Sequence, residues 1–317
     1  MPDLEQLNDF SVEELLAELK QRQAIASPPT MRATSEGSTG LRAFESEAIA
    51  QVVQQRQRVV YGGDSRKDWF QLNGAQKDDA DCVVALIFLS NLKENDDGTT
   101  TIQVENFGQA QNLCAREPFR DQPVGAFCSG FLVAPDIIAT AGHCVNMDDV
   151  KTIGFVFGFR MNDATTAQIT LPTSEVYRGV SVIDRKQTAT GPDWALVKLD
   201  RPVTGHKIVS VRREGKVPDQ QAVHVIGHPS GLPLKYADGA HVRTNGSPAH
   251  FIANLDTYGG NSGSPVFNSD THQVEGILVR GENDFVSVGD CQVSMVCPDT
   301  GCRGEDCTRT TEFTHLL

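Results

Sequence analysis

The chain has 317 residues, 39% hydrophobic and 22% charged, enough for a full hydrophobic core with an extension to spare. Its formal net charge of −13 argues against a nucleic-acid partner, whose phosphates demand basic patches. No run approaches the roughly 18 apolar residues that a membrane helix needs, so no membrane partner is expected.

At the start, Ser11-Val12-Glu13-Glu14 has the form of a capping box, and Val12, Leu15, Leu16 and Leu19 fall on one helical face behind it. A short amphipathic helix is expected to about Gln23. Ser27 to Gly40 has linker composition, and Leu41, Phe44, Ala48, Ile49 and Val52 then return to helical spacing. Residues 1–58 are therefore expected to form a helical extension and linker that either packs on its own domain or docks a protein partner. Met1 to Arg22 is polar and acidic, without the basic start and apolar run of a secretory signal, which favours the cytoplasm. The eight cysteines, an even count, favour an exported, disulfide-bonded protein instead.

From Val59 the texture changes. Short runs rich in β-branched residues, split by Gly, Pro, Asn and Asp, predict strands over 82–90, 101–104, 127–133, 137–140, 153–159, 195–199, 222–226, 250–255, 264–267 and 274–279. Many short strands at turn-length spacing mean an all-β sandwich or barrel across residues 59–317.

In Gly259-Gly260-Asn261-Ser262-Gly263-Ser264-Pro265 a serine is boxed between glycines, where the backbone turns sharply and can approach a substrate. Ser262 reads as a nucleophile. A serine hydroxyl is weak at its own pKa, so the reading requires a histidine base, an orienting carboxylate, and backbone N–H groups aimed at an oxyanion. Of eight histidines, His143 stands out in Ala139-Thr140-Ala141-Gly142-His143-Cys144, directly after the strand pair at 127–138.

That segment resembles the histidine region of the chymotrypsin-like serine proteases. The resemblance implies a double six-stranded β-barrel, His143 as general base, and a disulfide between Cys128 and Cys144. The family's chain order of His, Asp, Ser implies a carboxylate between base and nucleophile. Gly191-Pro192-Asp193-Trp194-Ala195-Leu196 resembles the family's Asp-x-Ala-Leu segment, so Asp193 is the implied orienting acid, with Asp184 in reserve. The Gly-Gly-Asn-Ser-Gly-Ser-Pro form is most similar to the bacterial glutamyl-endopeptidase branch. Val59-Val60-Tyr61-Gly62-Gly63-Asp64-Ser65-Arg66, Val156-Phe157-Gly158 and Val225-Ile226-Gly227-His228-Pro229 support that likeness. By the family pattern the oxyanion donors are the N–H groups of Gly260 and Ser262. The implied function is a serine endopeptidase acting on protein or peptide substrates through an acyl-enzyme, without cofactor or metal. The reading from another class is a binding or regulatory module that kept the fold and lost turnover. The resemblance reaches from Val59 to the C-terminus and does not cover the first 58 residues.

Some residues depart from the family. Asn261 is neutral where the trypsin branch carries an aspartate that receives a new N-terminal amine. Gly276-Ile277-Leu278-Val279-Arg280 lacks the histidine of the glutamate-reading Gly-Ile-His pattern, although Thr257 matches that branch. Asp256, six residues before Ser262, stands where trypsin-like members hold the pocket carboxylate, which implies cleavage after basic residues. Leu278, Val279 and Arg280 should line the same pocket, and an inward Arg280 paired with Asp256 would instead favour acidic side chains. The gaps between Cys291, Cys297, Cys302 and Cys307 favour disulfides over zinc without fixing the pairing. Cys82 and Cys114 are expected to form another bridge. His228 reads as a turn residue, and His206, His224, His241, His250, His272 and His315 receive no role.

Overall fold

A computed structural model describes residues 60–61, 64–188, 191–281, 285–298 and 301–317. The expected helical extension over 1–58 lies outside the described residues.

The described chain is built on two rings of six strands. The first comprises β1 (Val83–Phe88), β2 (Cys128–Ala134), β3 (Ile137–Thr140), β4 (Ile153–Val156), β5 (Val176–Gln187) and β6 (Asp193–Leu199). They close in the order β1-β2-β3-β6-β5-β4, every pair antiparallel. The second comprises β7 (Ala222–Gly227), β8 (Lys235–Thr244), β9 (His250–Ala253), β10 (Pro265–Asn268), β11 (Val274–Arg280) and β12 (Glu305–Arg309). Its ring runs β7-β8-β9-β12-β11-β10, the same topology repeated, with a short strand at Arg66–Asp68 added to β8. The protein is thus an all-β double barrel, and closure removes the exposed edges that open sheets must protect. Among the described residues the helix α1 (Gly74–Ala80) precedes β1. It is started by Asn73, whose side chain accepts from Gln76 N.

Burial explains the strands. Val83 to Ile87 are all buried because β1 faces the barrel interior on one side and packed side chains on the other. One cluster fills the first barrel around Phe131, Phe155 and Trp194 and continues into β7, β10 and β11 through Ile226, Phe267 and Ile277. A second, with Val225, Phe251, Val266 and Leu278, fills the second barrel.

The ten predicted strands all appear, with shifted ends. Three of the longer or better-buried strands were not foreseen, namely β5, β8 and β12. The cysteine pairing also needs correction. Cys128 pairs with Cys144 as implied, but Cys114 joins Cys291 and Cys297 joins Cys302. Cys82 and Cys307 are buried free thiols. Each packs in a barrel cluster as a small apolar side chain, so neither reaches a partner.

Candidate active site

The first barrel brings His143 to Asp193. β3 pairs with β6 so that Thr140 lies opposite Ala195, and two more residues of that register bring Gly142 level with Asp193. Gly142 must be glycine here, since a Cβ would stand 2.2 Å from Lys186 O and 2.9 Å from Asp193 Oδ1. The chain then turns through Gly142–Cys144, and both carboxylate oxygens of Asp193 are taken by the next residue. His143 N donates to Oδ1 at 3.1 Å, and His143 Nδ1 lies 2.7 Å from Oδ2. Asp193 is 3% exposed, whereas the His143 side chain is 30% exposed. One contact holds the backbone and the other the ring, and an Nδ1–H donated to the carboxylate leaves Nε2 free to act as a base.

The second barrel presents Ser262 in the turn that enters β10. Gly260 and Gly263 flank it in the left-handed region, at φ 84° and 90°. A side chain at 263 would place its Cβ 2.0 Å from Ser129 O. The turn is stitched to both barrels. Ser129 N on β2 donates to Ser262 O at 2.8 Å, and on β11 Leu278 O accepts from Gly263 N at 2.8 Å. Cys144 Sγ, held by the disulfide to Cys128, lies 3.6 Å from Ser262 O. The backbone of Ser262 therefore touches the residue that follows His143.

Gly260, the second expected oxyanion donor, is held through its carbonyl, which accepts from Ser129 Oγ at 3.1 Å. Its missing Cβ admits His228 O at 2.8 Å, so the loop 228–232 lies directly on this turn. Asn261 is fully engaged inside the protein. Its Nδ2 donates to Thr257 Oγ1 at 2.5 Å, and its Oδ1 accepts from Ser264 Oγ at 3.2 Å. Thr257 is fully buried and spends its hydroxyl on Asn261 and Tyr258 O, not on a pocket.

The remaining pocket candidates sit differently from expectation. Asp256 does not await a substrate cation, and it does not meet Arg280. Its oxygens accept from Tyr61 N at 2.7 Å, Ser65 N at 2.8 Å and Ser65 Oγ at 2.6 Å. Burial pushes its carboxyl above the ordinary range, and these hydrogen bonds work in the opposite direction. Leu278 packs into the second barrel and Val279 into the first cluster. Arg280 donates to Gly191 O at 2.7 Å, Thr188 O at 3.0 Å and Asp306 Oδ2 at 3.2 Å, and lies 3.8 Å from Asp193 Oδ2. Its cation thus braces the start of β6 behind the candidate acid, a role the sequence did not suggest. Asp184 pairs opposite Leu196 on β5, away from the start of β6, and is no substitute for Asp193. A cavity of about 410 Å³ opens beside Ser230 of the 228–232 loop, lined also by Phe88, Phe127, Val124 and Ala126.

Cys128, His143 and Cys144 lie close enough to hold a metal, but their thiols are joined to each other, so the trio offers one ligand. A second trio, Asp79, His224 and His272, was missed in the sequence because its members are far apart in the chain.

The family of the trypsin-like peptidase domain matches residues 128–277, a span that contains His143, Asp193 and Ser262. Similar solved structures include a Glu endopeptidase in complex with MPD, 18% identical with TM-score 0.47, over 81% of this chain and 98% of that one. Vibrio cholerae VesB protease is 14% identical with TM-score 0.48, over 82% and 66%. Human heparin binding protein is 12% identical with TM-score 0.48, over 80% and 94%. No curated protein matches. The twin six-stranded barrels and the matched trypsin-like peptidase domain support a place among the chymotrypsin-like serine proteases.

Proposed function

We propose that the protein is a serine endopeptidase. The observation that carries this reading is the two-point hold of Asp193 on His143, at 3.1 and 2.7 Å, beside a serine set between two glycines of positive φ. His143 Nε2 takes the proton of Ser262 Oγ as that oxygen attacks the scissile carbonyl. Asp193 holds the ring and stabilises the imidazolium. The N–H groups of Gly260 and Ser262 receive the negative charge on the carbonyl oxygen. His143 then gives its proton to the leaving amine, the C–N bond breaks, and an acyl-Ser262 ester remains. Water, deprotonated by His143, attacks the ester, and His143 returns that proton to Ser262 Oγ as the acyl C–O bond breaks and the acid is released.

The neutral, internally bonded Asn261 supports competence without an inserted amine, since no carboxylate waits there for one. Asp256 already serves Tyr61 and Ser65, so the reading assigns no charge preference to the residue before the cut. Exposing folded protein to a serine-directed fluorophosphonate tests the proposal. Covalent labelling at Ser262, absent in Ser262→Ala and His143→Ala, is expected. Folded protein that resists the probe would instead be a protease-fold binding module.

A further inference from the structure

Outside the triad, three side chains from three separate elements converge in the described chain. Asp79 closes α1, His224 lies in the middle of β7, and His272 sits in the turn joining β10 to β11. Their ligand atoms all lie within 4.8 Å of one another. His272 Nδ1 is 2.6 Å from Asp79 Oδ2, and His224 Nε2 is 3.2 Å from the same oxygen. We propose that Asp79, His224 and His272 form a binding site for a divalent transition cation of the zinc class.

The donor set is chemically apt. Two imidazoles and one carboxylate are borderline ligands that suit zinc, and a three-residue set leaves a fourth position for water. At metal–ligand distances of about 2.0–2.1 Å, tetrahedral geometry separates ligand atoms by about 3.3 Å. The His224–Asp79 separation of 3.2 Å already has that value. The His272–Asp79 contact, at 2.6 Å, must open, and the His272 side chain is 48% exposed in the turn between β10 and β11.

His224 supplies the independent observation. It is 1% exposed, yet its Nε2 has no hydrogen-bond partner of acceptable direction among the described residues. The atom is close to a carboxylate oxygen but badly aligned for a hydrogen bond, as a lone pair aimed at a shared cation would be. The ring is fixed from behind, with Nδ1 3.1 Å from Ser269 Oγ and the imidazole stacked on Phe267 at 5.0 Å. An Nδ1–H donated to that hydroxyl makes Nε2 the metal-binding nitrogen, the usual arrangement behind a histidine ligand. His272 has φ 56°, a left-handed conformation that turns its ring back toward α1. A cation here would cross-link α1 to the second barrel, independently of the protease reading.

The test uses the full chain, stripped with chelator and titrated with zinc chloride by calorimetry, with cobalt as a spectroscopic substitute. One equivalent is expected to bind, with cobalt giving the visible absorption of a tetrahedral site. Zinc at a hundredfold excess over Kd should raise Tm by about 5–10 °C. His272→Asn keeps a residue that tolerates positive φ and removes a ligand, so it should weaken binding by more than about 100-fold, beyond the loss typical of an outer partner. His143→Ala should bind as the parent does. Zinc uptake that is absent, weak and multi-site, unchanged by His272→Asn, or lost in His143→Ala overturns the proposal.

Discussion

Replacing Asp193 by asparagine tests the candidate site most sharply, because both oxygens of the carboxylate are already occupied by donors of one residue. An amide has one acceptor, so it must fail one of them. If the amide oxygen keeps Nδ1–H, its NH₂ faces the His143 backbone N–H, and the negative charge behind the imidazolium is gone. That charge, about 4 Å from the ring's charge centre at an effective dielectric near 20, is worth about 4 kcal/mol, or about 10³ in rate. If the amide flips to satisfy the backbone, its NH₂ donates to Nδ1, the ring carries its proton on Nε2, and no base remains. A wrong tautomer costs about 10⁴ in the family's template enzyme. Either way kcat/KM on a fluorogenic peptide should fall by about 10³–10⁴ while the circular dichroism of the folded state is unchanged. A loss below tenfold in folded Asp193→Asn would show that this carboxylate does not orient the base.

Ser262→Ala should abolish turnover to the residual level of binding alone, with Tm preserved, because the hydroxyl serves chemistry rather than packing; parent-like hydrolysis would refute it. Asp256→Asn puts a donor among the N–H and O–H groups of Tyr61 and Ser65 and should cost about 1–3 kcal/mol in urea unfolding, whereas an unchanged midpoint would mean these bonds are idle. Burial disfavours the charged ring of His206, but hydrogen bonds to Asp81 and Glu175 outweigh it and raise its pKa to about 9. The folded protein then binds more protons than the unfolded chain between about pH 6.5 and 9, so this contribution is complete below that window and fades as pH rises through it. Tm should decline over that interval, less steeply in His206→Gln, and parallel curves for the two proteins would refute the assignment.

Much of this was legible in the sequence where local pattern and contact coincide. β1 is a continuous apolar run, and the turn around Ser262 announces itself by glycines that later prove to need positive φ or a close neighbour. β8 was hidden because Asp238-Gly239 in its middle looks like a hairpin turn. The glycine instead takes φ 81° inside a strand whose register shifts against β7 between Val223 and Val225. β12 was hidden by its charge. Glu305, Asp306 and Arg309 carry charges that a buried strand rarely bears, yet all are buried, with Asp306 held by Arg280 and Arg303 and Arg309 by carbonyls of Asn245, Ser247 and His250. Paired burial of that kind is a property of tertiary contacts, and one strand's sequence does not contain it. The same holds for Asp256, whose partners lie 191 and 195 residues away.

The turn that would form the oxyanion hole shows why such long-range partners matter for chemistry. A donor pair stabilises developing charge only if it is already in place, since reorganisation at the moment of reaction would consume the gain. Here the turn is gripped from both barrels. From β2, the Ser129 hydroxyl donates to Gly260 O at 3.1 Å and accepts from His228 N at 2.9 Å, while its backbone N–H holds Ser262 O. From the other side comes the 228–232 loop, whose Ser230 N donates to Gly259 O. That loop is shaped by His228, with Nδ1 3.0 Å from Leu232 O and the ring stacked on Phe159 at 5.8 Å. Burial, together with the nearby charge of Lys235, holds the pKa of His228 down at about 4, so at neutral pH it is an uncharged structural ring. The sequence marked His228 as a turn residue, which it is. The consequence of that turn is that one side chain from each barrel, Ser129 and His228, fixes the backbone between Gly259 and Ser262, so the proposed nucleophile stands on a frame that need not move.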